Sequence, residues 1–199
     1  MALTPIVLPQ AELWLAEDFL SPAEAAALLI ELTAAVAWQQ QPIRLFGREV
    51  PQPRLTAWYG DPGAAYQYSG LKLPPLPWLP ALLALRRAVE AAAGVPFNSV
   101  LLNLYRSGQD GMGWHADDEP ELGPEPVIAS LSLGSTRRFR LRPRPGRGPA
   151  HPPLTLELPA GSLLIMRGLT QRCWQHALPK TARPVGPRLN LTFRLITGV

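Results

Sequence analysis

Cysteine occurs once in the 199 residues, at Cys173, so no intrachain disulfide can form and nothing marks the chain for an oxidising compartment. Histidine occurs three times, which confines imidazole chemistry to His115, His151 and His176. No apolar run approaches the ~20 residues that cross a bilayer, and the N-terminal MALTPIVLPQAELW lacks the basic start of a signal peptide. The expectation is a cytoplasmic protein without a membrane partner. Charge is sparse, at 17% of residues against 47% hydrophobic, which argues against a disordered chain and for one domain with a buried core. The 19 Lys+Arg exceed the 15 Asp+Glu by a net +4, a weak lean toward polyanions.

Proline (24) and glycine (16) are plentiful and favour turns and short strands over a helical bundle. Ser21-Pro22-Ala23-Glu24 reads as a capping box and predicts a helix from about Pro22 to Ala37, with Leu28, Leu29, Leu32 and Val36 on the face that packs on a sheet. Two extended runs flank Gly47 between Pro42 and Tyr59, a hairpin pattern. The stretch LPPLPWLP (73–80) fits neither regular helix nor central strand, and the helix that follows, Ala81–Ala93, stops at Gly94. Beyond Val95 come short β-patterned runs: Ser99–Tyr105, Val127–Leu133, Arg137–Leu141, Leu154–Leu158, Ser162–Met166 and Leu189–Ile196. Many short strands without intervening helices predict a mainly β sandwich or jelly roll. No internal repeat is present.

His115 and Asp117 lie two apart, so in an extended segment both side chains leave one face. A distant His176 could supply a third ligand. Two imidazoles and one carboxylate leave coordination positions open, which suits non-haem Fe(II) better than structural zinc. An isolated His-x-Asp is common by chance, so further residues must support it. His151, in a Pro/Gly-rich loop, reads as a surface residue. In Arg188-Leu189-Asn190-Leu191-Thr192-Phe193-Arg194 the apolar residues alternate with Arg188, Asn190, Thr192 and Arg194, which share the opposite face. Two arginines turned into a barrel need anions; turned outward they are ordinary surface charge. Asn103 and Tyr105 form a second polar pair on one strand face. Arg137, Arg138, Arg140, Arg142, Arg144 and Arg147 form a basic run that could track a phosphate backbone or be a solvated edge.

These motifs, Asn-x-Tyr, His-x-Asp, His and Arg-x-Asn-x-Thr-x-Arg in that order, resemble the AlkB dioxygenases. The likeness runs from about residue 42 to the C-terminus and looks closest to the double-stranded-DNA repair branch, through PRLTAWYG (53–60), FNSVLLN (97–103) and IASLSLG (128–134). The resemblance implies a double-stranded β-helix core (95–199) carrying N-terminal helices and a nucleotide-recognition hairpin or lid (1–94), together one catalytic domain over 1–199. It implies Fe(II) on His115, Asp117 and His176, and 2-oxoglutarate beside Asn103, Tyr105, Arg188, Asn190 and Arg194. O₂ would be the co-reactant, and the chemistry the oxidative dealkylation of 1-methyladenine- or 3-methylcytosine-type bases with release of formaldehyde. Tyr66 and Tyr68 align with aromatics of the base pocket, Arg54 with a substrate contact, and Glu119 with an acid near the exocyclic amine. Phe46 resembles the finger that fills the gap left by a flipped base, although a local core role is equally open; Arg44 and Arg48 flank it. The implied partner is alkylated DNA, or RNA, met by a monomer that would be nucleoid-associated if bacterial. The rivals are an oxygenase of this fold with another substrate, and a non-catalytic nucleic-acid-binding module.

Overall fold

The computed structural model describes residues 2–40, 42–45, 48–64, 66–68 and 71–197, with backbone only for 43–45, 48, 49, 66–68 and 71–73. The elements in chain order are β1 (Thr4–Leu8), β2 (Ala11–Ala16), α1 (Pro22–Ala35), β3 (Pro42–Leu45), β4 (Arg48–Pro51), β5 (Leu55–Gly60), β6 (Tyr66–Tyr68) and β7 (Leu71–Leu73). Then come α2 (Pro80–Ala93), β8 (Ser99–Tyr105), β9 (Met112–His115), a 3₁₀ turn at Pro120–Leu122, β10 (Ile128–Gly134) and β11 (Arg137–Pro143). The chain closes with β12 (Leu154–Leu158), β13 (Leu163–Arg167), α3 (Thr170–Cys173), β14 (Trp174–Leu178) and β15 (Arg188–Arg194).

Two antiparallel sheets make the sandwich: a large one ordered β1-β2-β13-β10-β15-β8-β5 and a small one ordered β12-β11-β14-β9. The hairpins β3-β4 and β6-β7 stand apart from both. The mainly β jelly-roll expectation holds. Three of the strands before residue 94 belong to the core, since β1, β2 and β5 complete the large sheet. Sequence reasoning expected nothing before α1. Pro5 in a five-residue edge strand hides β1, because its missing N–H is tolerated only where no ladder bond is required.

Helix α1 starts where its capping box predicts. The Ser21 side chain accepts from the Glu24 N–H, and the Glu24 carboxylate accepts from the Ser21 N–H at 2.9 Å. The helix ends two residues earlier than expected, at Ala35. Helix α2 stops at Gly94, whose φ of 68° a Cβ would strain. Both helices cover the outer face of the large sheet, where Leu32, Leu82, Leu85 and Val89 pack with Val100, Leu102, Leu189, Leu191 and Phe193. A second cluster, including Phe139, Leu141, Leu164, Met166 and Trp174, fills the space between the sheets. The alternation of β15 is therefore core on one side, with its polar side turned inward rather than to solvent. All seven of its residues are buried. Among the described residues no helix is long and apolar enough to cross a membrane.

Candidate metal and cosubstrate site

Strand β15 lies between β10 and β8, and its register sets Asn190 opposite Asn103 and Arg188 opposite Tyr105. The two polar patterns seen in the sequence thus meet on one inner face. Across the sandwich, β9 and β14 pair so that His115 and His176 are direct register partners, with ring centroids 4.2 Å apart. Asp117 follows the end of β9 and is buried between β14 and β15 side chains. Its Oδ1 accepts from Arg194 Nη2 at 2.5 Å, and its Oδ2 lies 3.8 Å from His176 Nε2. Among the described residues, one ligand atom each from His115, Asp117 and His176 falls within a 4.8 Å span.

This donor set fits a divalent transition metal. His115 Nδ1 sits 2.9 Å from the Gly113 carbonyl, a contact that holds the proton on Nδ1 and leaves Nε2 as a ligand. Burial, reinforced by nearby His115, pushes His176 down to about 3, so it is neutral and ligand-ready at physiological pH. Burial opposes ionisation of Asp117, but the Arg194 charge and the imidazoles outweigh it and keep the carboxyl below its ordinary range. Phe139 stacks on the His176 ring at 5.2 Å and fixes its tilt.

The metal ligands and the polar face of β15 line one cleft of about 50 Å³, together with Asn103, Tyr105 and Ser130. Arg188 is 2% exposed and packs 5.6 Å from the Tyr105 ring centre. Its Nη2 donates to Ser132 Oγ at 2.8 Å, while Nε has no hydrogen-bond partner among the described residues. Burial pushes it down to about 10, which leaves it cationic at neutral pH. No carboxylate among the described residues lies within salt-bridge distance of it. A buried guanidinium without a counter-ion is unfavourable unless an anion visits. The two arginines therefore differ: Arg194 is paired with Asp117, and Arg188 pairs with no carboxylate among the described residues.

Other expected residues fall variously. Arg54 is buried, and its Nε donates to Asn103 Oδ1 at 2.7 Å, which turns the Asn103 NH₂ the other way. Asn190 lines the cleft, but its amide donates to Ser130 Oγ (2.8 Å) and the Leu131 carbonyl (3.1 Å) and accepts from Thr192 Oγ1 (3.2 Å). Glu119 is half-buried at the start of the 3₁₀ turn. Tyr66 and Tyr68 lie on β6 with side chains outside the described residues, as is all of Phe46. His151 is half-buried, its ring against Trp174 at 5.6 Å, and it does not join the His115-Asp117-His176 group. The basic run is not one surface. Arg137 is 3% exposed and donates to the carbonyls of Ser107, Asp110 and Pro179, tying the β8–β9 turn to the end of β14.

Sequence reasoning missed Gln171. Buried on α3, it accepts the Asp117 N–H at Oε1 (3.0 Å) and so orients a metal-ligand backbone from 54 residues away. No motif announces it.

Residues 12–194 match the family model described as the 2OG-Fe(II) oxygenase superfamily. The alpha-ketoglutarate-dependent dioxygenase alkB homolog 3 of Bos taurus is 43% identical over 194 residues, covering 92% of this chain and 65% of that protein. The DNA oxidative demethylase ALKBH2 of Homo sapiens is 44% identical over 158 residues, covering 77% of this chain and 60% of that protein. The chain thus spans just under two thirds of the length of these relatives, and near-equal identities do not separate the two branches. The solved structure of OsALKBH1 superposes with a TM-score of 0.68 at 18% identity, over 98% of this chain and 100% of that one, a likeness of fold. With the family model covering the whole sandwich and the His-Asp-His set in place within it, this chain belongs to the 2OG-Fe(II) oxygenase superfamily, in its AlkB branch.

Proposed function

We propose that the protein is a single catalytic domain that oxidatively removes alkyl groups from damaged bases in DNA, of the 1-methyladenine and 3-methylcytosine type, coupled to 2-oxoglutarate decarboxylation. The observation that carries the reading is Arg188: a buried cation lacking an acid, in the same cleft as two histidines and a carboxylate set to bind a metal. His115, Asp117 and His176 would hold Fe(II). With 2-oxoglutarate and O₂ bound, that centre supplies the oxidation of an N-alkyl C–H bond, after which the hydroxylated carbon leaves as formaldehyde.

The chain's own residues do the rest. Arg188 takes a cosubstrate carboxylate, helped by the Asn103 amide that Arg54 holds in place. Asn190, bound to Ser130 and Leu131, keeps β15 and β10 in register beside it. Arg194 holds Asp117 ionised. Phe139 and the surrounding apolar side chains exclude water. For the base, we assign Tyr66, Tyr68 and Glu119 to the pocket and Phe46 to the gap left in a duplex, on the strength of the resemblance. Names of relatives at 43–44% identity, one of them a DNA oxidative demethylase, support a nucleic-acid substrate. We place the protein in the cytoplasm as a monomer, where reducing conditions keep iron ferrous.

The test is mass spectrometry of oligonucleotides carrying 1-methyladenine or 3-methylcytosine after incubation with protein, Fe(II) and 2-oxoglutarate. A loss of one CH₂ from the oligonucleotide mass, as methyl is replaced by hydrogen, that requires 2-oxoglutarate is expected. Retention of the methyl group in DNA and RNA alike, with a folded, iron-loaded protein, overturns the reading.

A further inference from the structure

Each strand of the small sheet has a second face. Because His115, His176, Phe139 and Leu141 point inward, their neighbours Trp114, Gln175, Arg138, Arg140 and Arg142 point outward. The guanidinium of Arg142 lies 4.4 Å from the Trp114 ring centre, and that of Arg140 5.7 Å. Arg142 is held there by two hydrogen bonds to Gln175 Oε1, at 3.1 and 2.9 Å. Further along, Arg138 and Arg140 border an open groove of about 790 Å³ whose other wall carries Lys180 and Arg183. These four cations are exposed. Among the described residues lining the groove, Glu157 is the one carboxylate, and it reaches Arg138 only at 3.7 Å, with both side chains largely in solvent. Such a pair neutralises little of the patch.

We propose that this outer face is a second nucleic-acid seat, which binds the sugar-phosphate strand flanking the base held in the cleft. The inference rests on the reading that the substrate is a nucleic acid. Three features favour a nucleic-acid strand over an acidic protein. Alternate residues of a strand repeat every ~6.6 Å, so Arg138, Arg140 and Arg142 form an evenly spaced row that suits successive phosphates. The Trp114 ring stands beside the row and holds the Arg142 guanidinium against it, the pairing of aromatic and cation that single-strand grooves use. The row then runs into the Lys180–Arg183 wall, making a groove rather than a point of contact. The inner face reads the lesion; the outer face reads only the backbone, so it adds affinity without sequence preference.

The test compares the wild type with an Arg138→Glu/Arg140→Glu variant, both side chains being exposed and clear of the cleft. Binding of a long single strand and of a trinucleotide, each carrying 1-methyladenine, is measured across a salt series, alongside 2-oxoglutarate binding by calorimetry as a check on the fold. Each phosphate contact on a single strand contributes ~0.7 to the salt slope. Losing two should flatten the slope by about 1.4 and weaken the long strand by about 25-fold at ~0.1 M salt. The trinucleotide should change little, and 2-oxoglutarate binding not at all. Equal slopes in both proteins overturn the proposal, as does an equal loss for long and short substrates. If polyglutamate displaces the long strand from the wild type as well as unmodified DNA does, the face serves acidic proteins and the proposal fails. If the wild type demethylates neither length, the nucleic-acid reading fails first; if it demethylates both and the slopes match, only the outer seat is lost.

Discussion

Replacing Arg188 by methionine separates binding from stability. In most proteins, loss of a buried, hydrogen-bonded side chain destabilises the fold. Here the charge is itself a burden. Burial pushes Arg188 well below the usual guanidinium range, down to about 10, which corresponds to roughly 3 kcal/mol of unfavourable desolvation. Methionine fills similar volume and removes that term, at the expense of one hydrogen bond to Ser132, about 1 kcal/mol. Without cosubstrate, Arg188→Met should therefore melt at or above the wild-type temperature. Its 2-oxoglutarate affinity should nonetheless fall by about 1.5–3 kcal/mol, roughly 10- to 150-fold, because a charge-assisted contact is gone. Calorimetric titration of 2-oxoglutarate into Mn(II)-loaded protein, with thermal melts in its absence, reads both quantities. The reasoning is refuted if the variant binds 2-oxoglutarate as tightly as the wild type, or if it is strongly destabilised with affinity intact.

Other consequences can be checked alongside. Gln171→Leu leaves the buried Asp117 N–H unbonded, so Co(II) affinity should drop by about 1–3 kcal/mol with only modest change in the melting temperature; unchanged metal affinity would detach Gln171 from the site. Arg54→Met frees the Asn103 amide to rotate, so KM for 2-oxoglutarate should rise more than kcat falls; the reverse pattern would point to the base pocket. In metal-free protein His176 titrates near 3 when folded and near ~6.5 when unfolded, so the unfolded chain takes up its proton first as pH falls. The stability it contributes is whole above about 6.5 and is lost toward about 3, and His176→Gln should lose less on acidification in urea unfolding than the wild type.

The parts of this site that obey a short period were legible. The alternation in 188–194 identified both a core face and an arginine face, and the His115-x-Asp117 spacing marked two side chains that do meet, although Asp117 lies just beyond the end of β9. Arg137 obeys the same period. It shares parity with Phe139 and Leu141, so it faces inward, while Arg138 and Arg140 face out. Strands β9 and β14 were hidden for another reason. Met112-Gly113-Trp114-His115 and Trp174-Gln175-His176-Ala177 mix glycine and polar residues that lower β propensity, and they are strands because they pair with one another and with β11. The contacts of Gln171 with Asp117 and of Arg54 with Asn103 span 54 and 49 residues, beyond any local pattern.

If the His115-Asp117-His176 centre and Arg188 together drive base dealkylation, the products of one reaction must appear in fixed proportion. Repaired base, formaldehyde and succinate are quantified together from a methylated oligonucleotide, for the wild type and for His176→Ala. One formaldehyde and one succinate are expected for each base repaired, and none of the three from the variant at full protein recovery. Repair that proceeds without succinate, or a His176→Ala protein that repairs at the wild-type rate, would contradict this coupling.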